Sequence, residues 1–342
     1  MPELEPALSA FIDQLPKVEL HLHLEGAVRA ETLLELSVHS SGLRQKADEW
    51  INARQAEHFH YGNFREFLAA FKIVTLLIET PQDYALATTR LIEWLADQNV
   101  QYAEVIFAAG VVLWKKQPMD AVFEAVAAAT EEAQARTGVR VNWIYDAIRH
   151  FGIDHAREVM HWAARYRSNG VVAFGIGGDE EGGPARLFTD VFREARDLGL
   201  HVVAHAGEAC GPESIRDAIE FLGAERIGHG LTAIHDDNVM ALLRERRIPL
   251  ETCPSSNVST GLIARFEDHP LPKLLEAGLV VTLNSDDPAM FGTSLREEFL
   301  RAARSFKLGR QVLTGLCSNA IQASFLSGDE KQELEQKLNL ES

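Results

Sequence analysis

Eight short apolar runs rich in β-branched residues recur along the chain, at 18–24, 100–107, 139–148, 171–177, 201–205, 226–229, 248–252 and 280–284. Their lengths are those of strands. Between most of them apolar residues recur at helical spacing. Val191, Phe192, Ala195 and Leu198 form one stripe that stops at Gly199, and Ile215, Ile219 and Leu222 form another that stops at Gly223. Asp236 stands where an N-cap belongs, ahead of Val239, Leu242 and Leu243. Eight strands alternating with helices predict an α/β fold of the (β/α)8 type, a TIM-type barrel. An open doubly wound sheet would need a phosphate-binding glycine fingerprint after the first strand, and Glu25-Gly26-Ala27-Val28 is not one.

One connection breaks the rhythm. About 75 residues separate the first strand from the second, and they include Trp50, His58, Phe59, His60, Tyr61, Phe64, Phe67 and Phe71, with helical spacing from 64 to 78. An insertion after the first barrel strand sits over the C-terminal mouth. The stretch at about 37–95 is therefore expected to form a helical cover that helps to build a pocket. No internal repeat or low-complexity linker divides the chain, so residues 1–342 are expected to be one domain.

Composition narrows the partners. The 342 residues are 46% hydrophobic and carry a net charge of −17, which disfavours nucleic acid and anionic membranes and suits a small neutral or cationic molecule. No stretch approaches the roughly 20 apolar residues of a membrane span, and the acidic N-terminus lacks an apolar run of signal-peptide length. Cys210, Cys253 and Cys317 are odd in number and widely spaced, as expected of reduced thiols in a cytoplasmic setting. None of this decides between a monomer and a homo-oligomer.

The chemistry gathers at the C-terminal ends of the strands. The first ends in Glu19-Leu20-His21-Leu22-His23, where a period of two puts both imidazoles on one face. Gly177-Gly178-Asp179-Glu180 follows the fourth, His205-Ala206-Gly207-Glu208 the fifth and His229-Gly230 closes the sixth; Glu251 lies near the end of the seventh, and Asn284-Ser285-Asp286-Asp287 follows the eighth. A barrel brings these ends to one mouth. His21, His23, His205 and Asp286 then supply three nitrogens and one oxygen, a donor set that suits Zn2+ better than iron or manganese. No lysine that could bridge two metals stands at the end of the fourth strand, so one ion per chain is expected. Glu208, His229 and Asp287 remain as candidates for acid–base and binding roles. Each also has a structural alternative: a helix cap, a buried histidine and a turn residue.

The chain resembles the adenosine deaminase family of the amidohydrolase superfamily. The resemblance is carried by Lys17-Val18-Glu19-Leu20-His21-Leu22-His23-Leu24-Glu25-Gly26, His205-Ala206-Gly207-Glu208, Arg226-Ile227-Gly228-His229-Gly230, Glu251-Thr252-Cys253-Pro254-Ser255-Ser256-Asn257 and Asn284-Ser285-Asp286-Asp287-Pro288, in the family's order over nearly the whole chain. It implies a barrel, a single zinc on His21, His23, His205 and Asp286, and hydrolytic deamination of a 6-aminopurine nucleoside. It further implies Glu208 as proton donor to ring nitrogen N1 and His229 as acceptor of the water's proton. Asp286 would ligate and hydrogen-bond beside the nucleophile, Asp287 would contact N7, and the Gly178 N–H would contact N3. Three stretches depart from the usual adenosine deaminase pattern: Gly175-Ile176-Gly177-Gly178-Asp179-Glu180, the residues after Glu208, and the run after Asp287. These look more like the bacterial branch that deaminates 6-amino-6-deoxyfutalosine, an intermediate of menaquinone synthesis whose larger 5′ substituent the glycines would admit. Adenosine is the next expectation and free adenine the third.

Overall fold

The computed structural model describes residues 4–36, 45 and 61–341; Trp50, His58, Phe59 and His60 lie outside them. All eight runs form strands, each within two residues of the expected limits: β1 (Lys17–His23), β2 (Val100–Phe107), β3 (Arg140–Ile148), β4 (Val171–Gly177), β5 (His201–Ala206), β6 (Arg226–His229), β7 (Leu250–Thr252) and β8 (Val281–Leu283). They pair in parallel in sequence order, β1 through β8. The ring closes at a bridge between Leu22 and Asp286, where the His23 N–H donates to the Asp286 carbonyl (2.9 Å) and the Asp286 N–H to the His21 carbonyl (3.0 Å). The seam of the barrel therefore runs through three of the candidate site residues.

Every residue of β1 is buried, because helices cover its outer face and the barrel interior its inner one. Ile106, Ile144, Ala173 and Val203 form an interior layer against which Phe325 packs. Polar groups share that interior: the Arg226 guanidinium lies 2.6 Å from Glu104 and 2.5 Å from Glu251, and 4.0 Å over the Phe325 ring. The Tyr102 hydroxyl donates to Glu104. Fully buried charges of this kind persist because each has partners.

Local rules explain the helices that frame the mouth. Asp236 caps the helix Asp237–Arg246 by accepting from the Asn238 and Val239 N–H groups. Asn63 caps the helix Phe64–Leu77, which turns an aromatic face inward: Phe67 lies 5.0 Å from Phe291 and 5.5 Å from Tyr61. Residues 81–97 depart from the expected cover. Thr80 and Asp83 form a capping box that starts the helix Pro81–Asp97. That helix packs on β2 and on the helix Met119–Thr137, so it belongs to the ring around the barrel rather than to the cover over its mouth.

Candidate active site

The two imidazoles of β1 face inward, ring centroids 5.5 Å apart, and meet the rings of His205 from β5 and His229 from β6, at 4.5 and 5.0 Å from His21. Asp286, just past β8, joins them. Donor atoms of His21, His205, His229 and Asp286 lie within 4.8 Å of one another, as do those of His23, Asp286 and Asp287. Asp286 belongs to both groups. Its Oδ1 faces His21 Nε2 (3.5 Å) and His23 Nε2 (3.4 Å), whereas Oδ2 faces His229 Nε2 (3.8 Å). Of the donor set expected from the sequence, His21, His205 and Asp286 share one group with His229, and His23 adjoins it through Asp286; His229 Nε2 lies 3.5 Å from Glu208 Oε1.

Backbone strain accompanies two of these positions. His229 (φ 62°) and Asp286 (φ 63°) hold left-handed conformations at the ends of their strands, a cost retained where function over-determines geometry. Gly178 has φ +90°, so a side chain there would be strained, and its backbone lines the pocket.

The arrangement fits a metal ion. His21 is buried, its Nε2 makes no hydrogen bond, and its Nδ1 lies 2.8 Å from Glu251, which is held in turn by Arg226. An imidazole held on one nitrogen by a carboxylate and bare on the other is the usual state of a metal ligand. Burial pushes His23 down to about 4, and burial together with the neighbouring rings pushes His205 well below the ordinary histidine range; neutral imidazoles are what a metal takes. At His21 burial acts downward too, but the Asp286 and Glu251 carboxylates beside it prevail and hold it at about 10.

The remaining candidates fall into place around this cluster. Burial, then Asp286 and Glu180, hold the Glu208 carboxyl well above the ordinary carboxylate range, which favours its protonated form. Asp287 is raised in the same way, by burial and by its neighbour Asp286, and its Oδ1 has no partner among the described residues. Gly26 makes room for it: a Cβ at position 26 would sit 1.8 Å from that oxygen. Glu208 does not cap the following helix, since Pro212–Asp217 has no side-chain cap. Asp287 does stand at a turn, where its carbonyl accepts the Met290 N–H (2.8 Å) and the Phe291 N–H (3.0 Å), while its side chain caps nothing.

Several contributors were not assigned from the sequence. Glu180 accepts backbone N–H groups from Gly207 (2.6 Å), Glu208 (3.2 Å), Ala209 (2.8 Å) and Cys210 (3.0 Å), and the Ser214 hydroxyl as well. Arg149 donates to the His205 and Gly183 carbonyls, at 2.6 Å each. Together they grip the loop that presents His205 and Glu208. Asp146 on β3 is buried against the pocket, and burial pushes it up to about 8. The glycine run of β4 serves it, since Cβ atoms at Gly175 and Gly177 would lie 2.9 and 3.0 Å from its carboxylate oxygens. The available signal was the polar end of the third strand, Asp146-Ala147-Ile148-Arg149-His150.

Above the cluster opens a cavity of about 630 Å³. His23, His205, Glu208, His229, Asp286 and Asp287 form its polar floor; Phe64, Phe67 and Phe71 of the cover helix and Trp114, stacked on Phe151 at 5.9 Å, form its apolar wall. Its size is that of a small-molecule site.

A (β/α)8 barrel with a buried histidine and carboxylate cluster at its C-terminal mouth is the architecture of the amidohydrolase class of barrel enzymes. A family model described as adenosine deaminase matches residues 16–340. An aminodeoxyfutalosine deaminase from Streptomyces avermitilis is 38% identical over 93% of this chain and 89% of its own length. An adenosine deaminase from Mycobacterium ulcerans is 35% identical over 96% of this chain and 95% of its own. Among solved structures, an amidohydrolase from Burkholderia ambifaria with bound Zn superposes with a TM-score of 0.89 at 26% identity, covering 99% of this chain and 95% of that one. The chain belongs to the adenosine deaminase family.

Proposed function

We propose that the protein is a zinc-dependent aminohydrolase that converts a 6-aminopurine nucleoside to the 6-oxopurine and ammonia, with 6-amino-6-deoxyfutalosine as its substrate. The observation that carries this reading is a buried Glu208 set 3.5 Å from His229 on the rim of a metal-type donor cluster, where burial favours its protonated form. His21, His23, His205 and Asp286 would hold one zinc ion. Zinc there supplies the Lewis acidity that brings the pKa of water toward neutrality.

The protein's own groups then manage the protons. Glu208 gives its proton to N1 as C6 becomes tetrahedral, and as a carboxylate it takes up the proton that the attacking water sheds. It returns that proton to the amine, which leaves as ammonia, and recovers one from the C6 hydroxyl as the 6-oxo group forms. One carboxyl thus carries every transfer, which requires the raised pKa that burial provides. His229 faces the attacking oxygen and orients it. Asp287, whose carboxyl burial and Asp286 raise toward the protonated form, donates to N7, and the Gly178 N–H donates to N3. The aromatic wall excludes water from the purine faces.

The relatives named for aminodeoxyfutalosine support the finer assignment, which would place the protein in menaquinone synthesis. Relatives named for adenosine, of nearly equal identity, make adenosine the second reading. No helix among the described residues is long and apolar enough to cross a membrane, and the three free cysteines accord with the cytoplasm. The test is ammonia release by the zinc-loaded protein from 6-amino-6-deoxyfutalosine and adenosine side by side. A higher kcat/KM for the first is expected; a preference for adenosine replaces the substrate, and no reaction with either overturns the reading.

A further inference from the structure

A buried chain of hydrogen bonds behind His229 determines which of its nitrogens carries the proton. It begins at a group whose direction is fixed, the Leu271 backbone N–H, which donates to His269 Nδ1 (3.1 Å). That nitrogen is therefore an acceptor. His269 is buried, and burial pushes it down to about 3, so the ring is neutral and its single proton sits on Nε2. His269 Nε2 lies 3.2 Å from Asn257 Oδ1 and donates to it. The Asn257 amide is thereby oriented with its NH2 group toward His229 Nδ1, at 3.2 Å. An NH2 group only donates, so His229 Nδ1 must accept. Every member of the chain is buried.

We infer that Asn257 and His269 are positioning residues that hold neutral His229 as its Nε2–H tautomer, so that it meets the nucleophile as a hydrogen-bond donor rather than as a general base. This rests on the deaminase reading above and changes one part of what the family resemblance implies. Nε2 is the nitrogen that faces Glu208 and Asp286. With a proton already on it, His229 can grip a lone pair of the attacking oxygen and stabilise charge that develops there, but it has no lone pair to receive the water's proton. Nor can it become an imidazolium cheaply, since a second proton on Nδ1 would face the Asn257 NH2 group. Reversing the amide to relieve that clash would set its NH2 group against the His269 Nε2–H. The proton from water therefore goes to the ionised Glu208, and none passes through the imidazole.

Nitrogen-15 spectra of the full-length, zinc-loaded protein with labelled histidines read the tautomer directly, the His229 signals being identified by their absence in His229→Asn. An Nε2–H pattern unchanged from pH 6 to 9 is expected. Asn257→Asp places an acceptor against Nδ1 and should move the proton there, with kcat lowered by about 10²-fold, the cost of losing one donor to a developing oxyanion, and KM nearly unchanged. An Nδ1–H or imidazolium pattern in the wild-type protein, or an Asn257→Asp variant that shifts the tautomer and keeps its kcat, overturns the inference. Should Asn257→Asp not fold, the wild-type spectrum decides alone. The spectrum needs no substrate, so a protein that releases no ammonia from either nucleoside would refute the deaminase reading and leave the tautomer to be judged separately.

Discussion

Replacing Glu251 by glutamine tests how the barrel interior supports the site. The carboxylate holds two donors at once, His21 Nδ1 at 2.8 Å and Arg226 Nε at 2.5 Å, and burial is opposed by both partners, which hold it below the ordinary carboxylate range. An amide has one oxygen and one NH2 group, so either orientation sets a donor against a donor. If the oxygen stays on Arg226, His21 must move its proton to Nε2, the nitrogen that points into the cluster. If it stays on His21, the NH2 group faces the guanidinium. Breaking a buried charge pair costs about 3–5 kcal/mol. The lower end applies here, because Arg226 keeps Glu104 at 2.6 Å and the Ala323 carbonyl at 3.1 Å. At roughly 2 °C per kcal/mol for a chain of this size, the metal-free variant should melt about 6 °C lower. Zinc affinity should fall about 10–100-fold, the usual consequence of losing the carboxylate behind a ligating histidine. Calorimetry of the metal-free proteins and competitive zinc titration measure the two effects. An unchanged Tm together with an unchanged zinc Kd would show that Glu251 neither stabilises the interior nor sets the His21 tautomer.

Three further outcomes are expected. Glu208→Gln should retain zinc and lose about 10²–10⁴-fold in kcat; a zinc-loaded variant at full activity removes Glu208 from the proton path. Gly26→Ala sets a methyl group 1.8 Å from the Asp287 carboxylate, so kcat/KM should drop at least tenfold, or roughly 1.4 kcal/mol, while zinc content is kept. Equal kinetics would mean that Asp287 does not touch substrate. Lys17 is buried, with its ammonium donating to the Leu15 and Gln98 carbonyls, and burial lowers it to about 8 from 10.5. Between those values the unfolded chain binds more protons than the folded one, so stability from this residue rises with pH across that window, by up to about 3 kcal/mol. Urea unfolding at pH 8 and pH 10 should show that rise in the wild-type protein and not in Lys17→Met; parallel pH profiles would refute it.

Much of this protein was legible along the chain, for physical reasons that are local. A strand buried between helices and a barrel interior must be apolar over a short length, so eight such runs marked eight strands. A period of two placed His21 and His23 together, and the ends of parallel strands must share one face, which gathered His205, Glu208, His229 and Asp286 before any contact was known. The cover was legible in part: the spacing from 64 onward was helical, but nothing local distinguished the mouth helix Phe64–Leu77 from the barrel helix Pro81–Asp97. What only the tertiary structure decided is direction. The two oxygens of Asp286 set His21 and His23 apart from His229. Glu180 reaches the loop after β5, Asp146 fills the space that Gly175 and Gly177 vacate, and Leu271, His269 and Asn257 orient an imidazole on another strand. Hydrophobic periodicity is a property of neighbours in sequence, whereas a hydrogen bond depends on the angle between groups that only the closed barrel brings within reach of one another.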